Sequence, residues 1–135
     1  MGERGGGPLP GGELELELLQ ALWRRRRATV RELFEEVGEP RGIVYTTVAK
    51  VLDRMLEKQL VAREREGRTY AYEPLAPRAA TQRALARRLI DRLVGEDPRP
   101  AAAALLGAIE DVSPELLDEL ASEIAARRRR KRRGT

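Results

Sequence analysis

The chain has 135 residues, a formal net charge of +4, and neither cysteine nor histidine. That is enough for one domain or a small domain with an appendage. It excludes disulfides, thiolate and imidazole metal sites, and any Ser-His-Asp or Cys-His mechanism.

Carboxylates are plentiful but lie on amphipathic surfaces without a paired arrangement, so no enzyme, metal or cofactor is expected. No apolar run approaches the roughly 20 residues of a membrane span. The N-terminus lacks a signal-peptide core. A cytoplasmic protein with no membrane partner is the expectation.

The charge is unevenly placed. Arg127–Arg133 alone supplies seven cations, which leaves the rest of the chain at −3. Between Glu13 and Glu73, twelve basic residues are matched by twelve acidic ones. A polyanion site in that region must therefore come from local segregation of charge.

Residues 1–12, with six glycines and two prolines, have nothing to bury and are expected to be a disordered tail. From Glu13 the sequence alternates briefly like a strand, but Leu14, Leu18, Leu19, Leu22 and Trp23 line one side of a helix. Glutamates at its start and Arg24 to Arg27 at its end suit the helix dipole. Those arginines read as a solvated helix end or as phosphate contacts. Thr29 to Glu32 forms a capping box, opening a short second helix whose apolar side is Val30, Leu33, Phe34 and Val37. Gly38 to Gly42, with Pro40 inside, is the break before the third helix.

The stretch from Tyr45 to Glu73 organises the remainder. Val48, Val51, Leu52 and Met55 recur at i, i+3, i+4 and i+7 and form one buried stripe. Thr46, Lys50, Asp53 and Glu57 fall opposite, with Thr47 and Arg54 on a flank. Hydroxyls and an ammonium lead and carboxylates follow, so only the first two turns suit a polyanion. After Leu60 and Val61 the period changes to alternation, with Arg63 and Arg65 before Gly67 and Tyr70 and Tyr72 after it, a hairpin with an arginine tip. A helix with a cationic leading end followed by a two-stranded ribbon is the layout of a winged helix-turn-helix, whose helix enters the major groove beside a phosphate-contacting wing. Trp23, Phe34, Val48, Leu52 and Met55 are its expected shared core. The alternative role for Thr46 and Thr47 is helix capping, and for the tyrosines packing within the wing.

Arg78 to Val94 reads as a further helix with Leu85, Leu89 and Leu93 in one row. An alanine-rich helix over Ala101 to Ile109 follows and includes Leu106. Ser113-Pro114-Glu115 starts a last helix, whose apolar face includes Leu116, Leu117, Leu120 and Ile124. Three such helices make a poor core alone. They are expected to form a dimer interface, in which Leu85, Leu89, Leu93, Leu106, Leu116, Leu120 and Ile124 meet a second copy. Packing back on the winged domain is the alternative. The expected organisation is a disordered tail over 1–12, a winged helix-turn-helix over 13–76, a helical dimerisation region over 77–126 and a disordered basic tail over 127–135. The fold class is mainly α with a small β-hairpin wing.

The motifs GELELELLQALW, ATVREL, YTTVAKVLDRM and VAREREGRTYAYEP, within Gly12 to Pro74, resemble the penicillinase-repressor family (BlaI/MecI/CopY). The resemblance implies a homodimeric transcriptional repressor on double-stranded DNA with a palindromic operator. Carried over by position, it places Thr46, Thr47 and Lys50 at the DNA, with Arg63, Arg65 and Arg68 on the wing. Tyr45 and Arg54, on the same helix, complete the candidate set. Lys50 stands where the family commonly has threonine, and Gln59 where it usually has glycine. The β-lactam branch of the family is switched by a sensor protease cutting an asparagine-phenylalanine bond, and the copper branch by a cysteine cluster. This chain has no asparagine, a single phenylalanine at Phe34 and no cysteine. Neither switch transfers, which leaves another protease site or an unknown inducer.

A reading of a different class rests on the tail. Arg127, Arg128, Arg129, Arg130, Lys131, Arg132 and Arg133 form a phosphate-seeking segment, and a non-specific or architectural nucleic-acid-binding protein would depend on it. A merely solubilising terminus is the plainer alternative.

Overall fold

The computed structural model describes residues 9–134. The helix α1, Glu13–Arg25, is followed by a short strand β1, Ala28–Thr29, and by α2, Val30–Leu33. A π-helical turn, Phe34–Gly38, and a 3-10 turn, Glu39–Arg41, lead into α3, Tyr45–Glu57. Two strands follow, β2, Val61–Glu66, and β3, Thr69–Pro74. Beyond them lie α4, Arg78–Leu93, α5, Pro98–Val112, and α6, Pro114–Gly134.

The chain divides into two compact units between Arg87 and Arg88, inside α4. The expected boundary at 76–77 lies earlier. The first turns of α4 go with the winged unit because the Trp23 indole N–H donates to the Ala76 carbonyl at 2.9 Å and Arg78 lies over the Trp23 ring at 6.0 Å.

In the first unit, the apolar stripe of α3 packs against α1 and α2. Leu18, Leu19, Leu22, Leu33, Val48, Leu52, Met55, Leu60 and Val61 are fully buried, each leucine contributing about 1.5–3 kcal/mol by leaving water. Trp23 and Phe34 are only partly buried at the edge of this core. The capping box is present: the Thr29 hydroxyl accepts from the Glu32 amide at 3.2 Å, and the Thr29 amide donates to Glu32 Oε1 at 2.9 Å. Gly38 is buried because α3 approaches it closely. A Cβ there would stand 2.8 Å from Val48 Cγ2 and 3.3 Å from the Ile43 carbonyl oxygen.

The sheet has three antiparallel strands in the order β1-β3-β2, one more than the hairpin expected from the sequence. Thr29 pairs with Ala71 and Ala28 with Tyr72. Two residues are too few to show an alternation, so only the pairing reveals this strand. The β2–β3 turn runs through Gly67 at φ +65°, a region glycine enters without strain.

The N-terminal expectation of disorder falls partly outside the described residues, which begin at Leu9. Within them, Pro10 is buried and the Gly11 amide donates to Glu15 Oε1 at 2.9 Å, so ordered backbone starts before residue 12. At the other end the structure corrects the sequence reading. Arg127 to Arg133 are not a disordered tail but belong to α6, which runs to Gly134. Arginine and lysine are good helix formers, and cations at a helix C-terminus meet the favourable end of the dipole.

In the second unit, α5 and α6 pack on one another. Asp97 caps α5 by accepting from the Arg99 amide at 3.1 Å. Ala101 is buried, but Leu89, Leu93, Leu106, Leu116 and Ile124 are 44–51% exposed and Leu120 is half-buried, as is Leu85 in the part of α4 that belongs to the first unit. No helix among the described residues is long and apolar enough to cross a membrane.

Candidate nucleic-acid interface

The leading end of α3 is open. Its N-cap is Val44, in extended conformation and without a side-chain cap. Thr46 and Thr47 are exposed, and neither hydroxyl is hydrogen-bonded to another described residue. The structure therefore gives them no capping role. Lys50 is exposed on the following turn and has no ion-pair partner among the described residues. Tyr45 is 38% exposed, with its ring edge-on to Phe34 at 5.7 Å.

Arg31 of α2 stacks on that same ring, 5.2 Å from its centroid and 6.0 Å from that of Phe34. Sequence reasoning missed this residue. Its position on the exposed side of α2 gives no signal, and only the packing of α2 on α3 brings it to the front of the helix.

The wing separates its charges by face. Strand alternation puts Arg63 and Arg65 on the side of their cross-strand partners Tyr72 and Tyr70, with Glu64 and Glu66 opposite. The glutamate face is partly compensated by one cation: Arg27 reaches Glu73 at 2.6 Å and Glu64 and Glu66 at 3.3 Å each. The hydrogen bond to Glu73 leads the causes that raise the Arg27 pKa above its ordinary value. On the arginine face, Arg63 donates to the Tyr72 hydroxyl at 3.2 Å, lies 3.4 Å from Asp53 Oδ1 and stacks 4.0 Å from the Tyr70 centroid. The Tyr72 hydrogen bond is the main cause raising its pKa. Arg65 stacks on Tyr70 at 5.6 Å. Arg68, at the tip, has no ion pair among the described residues.

The remaining acidic residues of this unit are largely occupied. Arg24 and Arg25 bind Glu36, holding its carboxyl below the ordinary carboxylate range, with the Arg24 hydrogen bond as the main cause. Arg41 binds Glu13 and Glu17. Thus Arg24 and Arg25, at the end of α1, and Arg27, just beyond it, are engaged in ion pairs within the fold, a role the sequence reading did not name. Arg54 faces the buried Glu15 at 3.6 Å, and Lys58 donates to the same carboxylate at 2.7 Å. The sequence candidates thus fall into two sets. Thr46, Thr47, Lys50 and Arg68 are exposed and uncommitted, whereas Arg54 and Arg63 are engaged in ion pairs and Tyr45 and Arg65 in ring contacts within the fold.

A three-helix core, a recognition-type helix with an open polar leading end and a hairpin with a cationic face and tip define a winged helix-turn-helix of the DNA-binding class. The penicillinase repressor family model matches residues 11–126. Two proteins from Mycobacterium tuberculosis strains CDC 1551 / Oshkosh and ATCC 25618 / H37Rv, each called transcriptional regulator BlaI, are 34% identical over 116 residues, covering 84% of this chain and 82% of each relative. The chain belongs to the penicillinase repressor family, a family of transcriptional regulators and not of enzymes. Among solved structures it is similar to the DNA-binding domain of the repressor BlaI, with 21% identity and a TM-score of 0.49 over 55% of this chain and 92% of that one. It is also similar to the antimony-specific repressor AntR, with 22% identity and a TM-score of 0.47 over 62% and 72%.

Proposed function

We propose that this regulator is a cytoplasmic homodimeric repressor of a palindromic operator. In this reading Tyr45, Thr46, Thr47 and Lys50 enter the major groove. Lys50 donates to guanine acceptors, and the threonine methyl groups touch thymine methyls. Arg65 and Arg68 meet the flanking phosphates, while Arg54 and Arg63 act chiefly by holding helix and wing in place. The observation that carries the proposal is the separation of committed from uncommitted cations. The acidic side chains around the core are paired with Arg24, Arg25, Arg27, Arg41 and Lys58, which leaves Lys50 and Arg68 available at the helix front and wing tip.

Self-association is supported by the leucines on α4, α5 and α6 that one chain leaves exposed. A second copy burying Leu85, Leu89, Leu93, Leu106, Leu116, Leu120 and Ile124 would supply the missing core, and a twofold reader suits a twofold operator. With neither the asparagine-phenylalanine site nor the cysteine cluster in the sequence, relief of repression falls to a sensor protease with another cut site or to an inducer of other chemistry.

The test is selection of genomic fragments by purified protein at moderate salt with competitor DNA. Recovery of one or a few palindromic sites, bound by two chains, is the expected outcome. Fragments sharing no motif would refute sequence-specific repression.

A further inference from the structure

Residues 127–133 lie beyond the last position of the family match, residue 126, yet they continue α6 without a break. All seven are cationic and exposed. Arg127 pairs with Glu123 at 3.2 Å but its side chain remains 71% exposed. At about 100° and 1.5 Å per residue, seven positions cover about one and two-thirds turns of the helix within about 9 Å of axis. This end of α6 therefore presents cations on every side.

We infer that the C-terminal end of α6 is a second duplex-binding surface, a helical arginine cluster that takes backbone phosphates without regard to sequence. Its chemistry favours nucleic acid over a lipid surface. An interfacial helix needs an apolar face; residues 127–133 carry no apolar side chain, and in the dimer reading the exposed Leu116 and Ile124 earlier on α6 are covered by the second copy. Arginine also suits the planar, two-point binding of phosphate oxygens. Helical presentation limits the number of contacts, because only residues three and four apart share a face. Arg127, Arg130 and Lys131, for example, can meet one duplex together. About three phosphates are engaged rather than seven.

The experiment compares the full chain with a full-length variant carrying glutamine at every position from Arg127 to Arg133, since glutamine keeps the helix while removing charge. Binding to a duplex of arbitrary sequence is titrated between 50 and 200 mM salt. The unmodified chain should show a log K against log salt slope steeper by about 2.7 per bound protomer, so its affinity per protomer falls about 40-fold more over that range. Equal slopes would overturn the proposal. A difference of about 6 per bound protomer would overturn the helical presentation, since it needs all seven cations of one chain engaged. Tail-dependent binding to phosphatidylserine vesicles as tight as to duplex would overturn the assignment to nucleic acid. Because the duplex carries no operator, the result does not depend on whether a palindromic site exists.

Discussion

The Arg63 guanidinium lies 4.0 Å from the centroid of the Tyr70 ring. The same group donates to the Tyr72 hydroxyl and faces Asp53 of α3. One side chain thus ties the wing to the recognition helix. Replacement of Arg63 by alanine is expected to cost about 1 kcal/mol of stability, mostly lost stacking, since exposed ion pairs contribute little. Arg63→Lys keeps the charge but not the planar stack, so it should stay destabilised. Urea unfolding of the two variants checks this, and a lysine variant as stable as the parent would show that charge alone suffices.

Lys50 and Arg68 are expected to separate base reading from phosphate binding. Lys50→Ala should reduce discrimination between the operator and a base-substituted operator by about 1–3 kcal/mol. Arg68→Ala should instead weaken all duplexes alike and lower the salt slope by about 0.9. Paired titrations on both duplexes distinguish these outcomes. Unchanged discrimination in the Lys50 variant would remove its base-reading role.

Glu15 gives the winged unit an acid-sensitive anchor. Burial raises its pKa, but the hydrogen bonds from Lys58 and the Gly11 amide, with the charges of Lys58 and Arg54, outweigh burial and leave it below the ordinary 4.5. Its stabilisation is therefore fully present above pH 4.5 and is lost as pH falls through the lower folded-state value. Glu15→Gln should cost about 1–2 kcal/mol at pH 7 and should flatten the acid limb of stability against pH. Denaturant midpoints from pH 7 to 3 measure both effects, and parallel curves for parent and variant would exclude this anchor.

Gln59 occupies left-handed backbone at φ 64° just after α3, held by the Leu60 amide donating to the Met55 carbonyl at 2.9 Å. Gln59→Gly should stabilise the unit by up to about 1 kcal/mol, raising Tm by about 4–8 °C for a domain of this size. Thermal unfolding checks it. No gain would mean that the glutamine side chain offsets its own strain.

Charges placed on the exposed leucines should separate the protomers. Leu93→Glu with Leu116→Glu puts unpaired carboxylates where a second copy would cover them, at a cost of several kcal/mol to association. Sedimentation should find a dimeric parent and a monomeric variant. A variant that sediments like the parent would move the interface elsewhere.

The sequence by itself determined the elements whose signal is local. The apolar stripe of α3 repeats every three to four residues, the capping box at Thr29 needs four consecutive positions, and Gly67 marks the hairpin because glycine alone enters its turn without strain. Those features, with the family motifs, were sufficient for the winged helix and its class. What only the tertiary structure decided depends on residues far apart in sequence. The strand at Ala28 and Thr29 exists because β3 lies beside it. Arg31 reaches the front of α3 because Phe34 and Tyr45 pack edge to edge. The division of labour among the cations was likewise invisible, because a count of twelve against twelve does not record that Arg27 and Arg41 pair with distant glutamates while Lys50 and Arg68 have no ion-pair partner among the described residues. Pairing across space commits some charges to one another and leaves others free for a partner, and linear order does not record which ones meet.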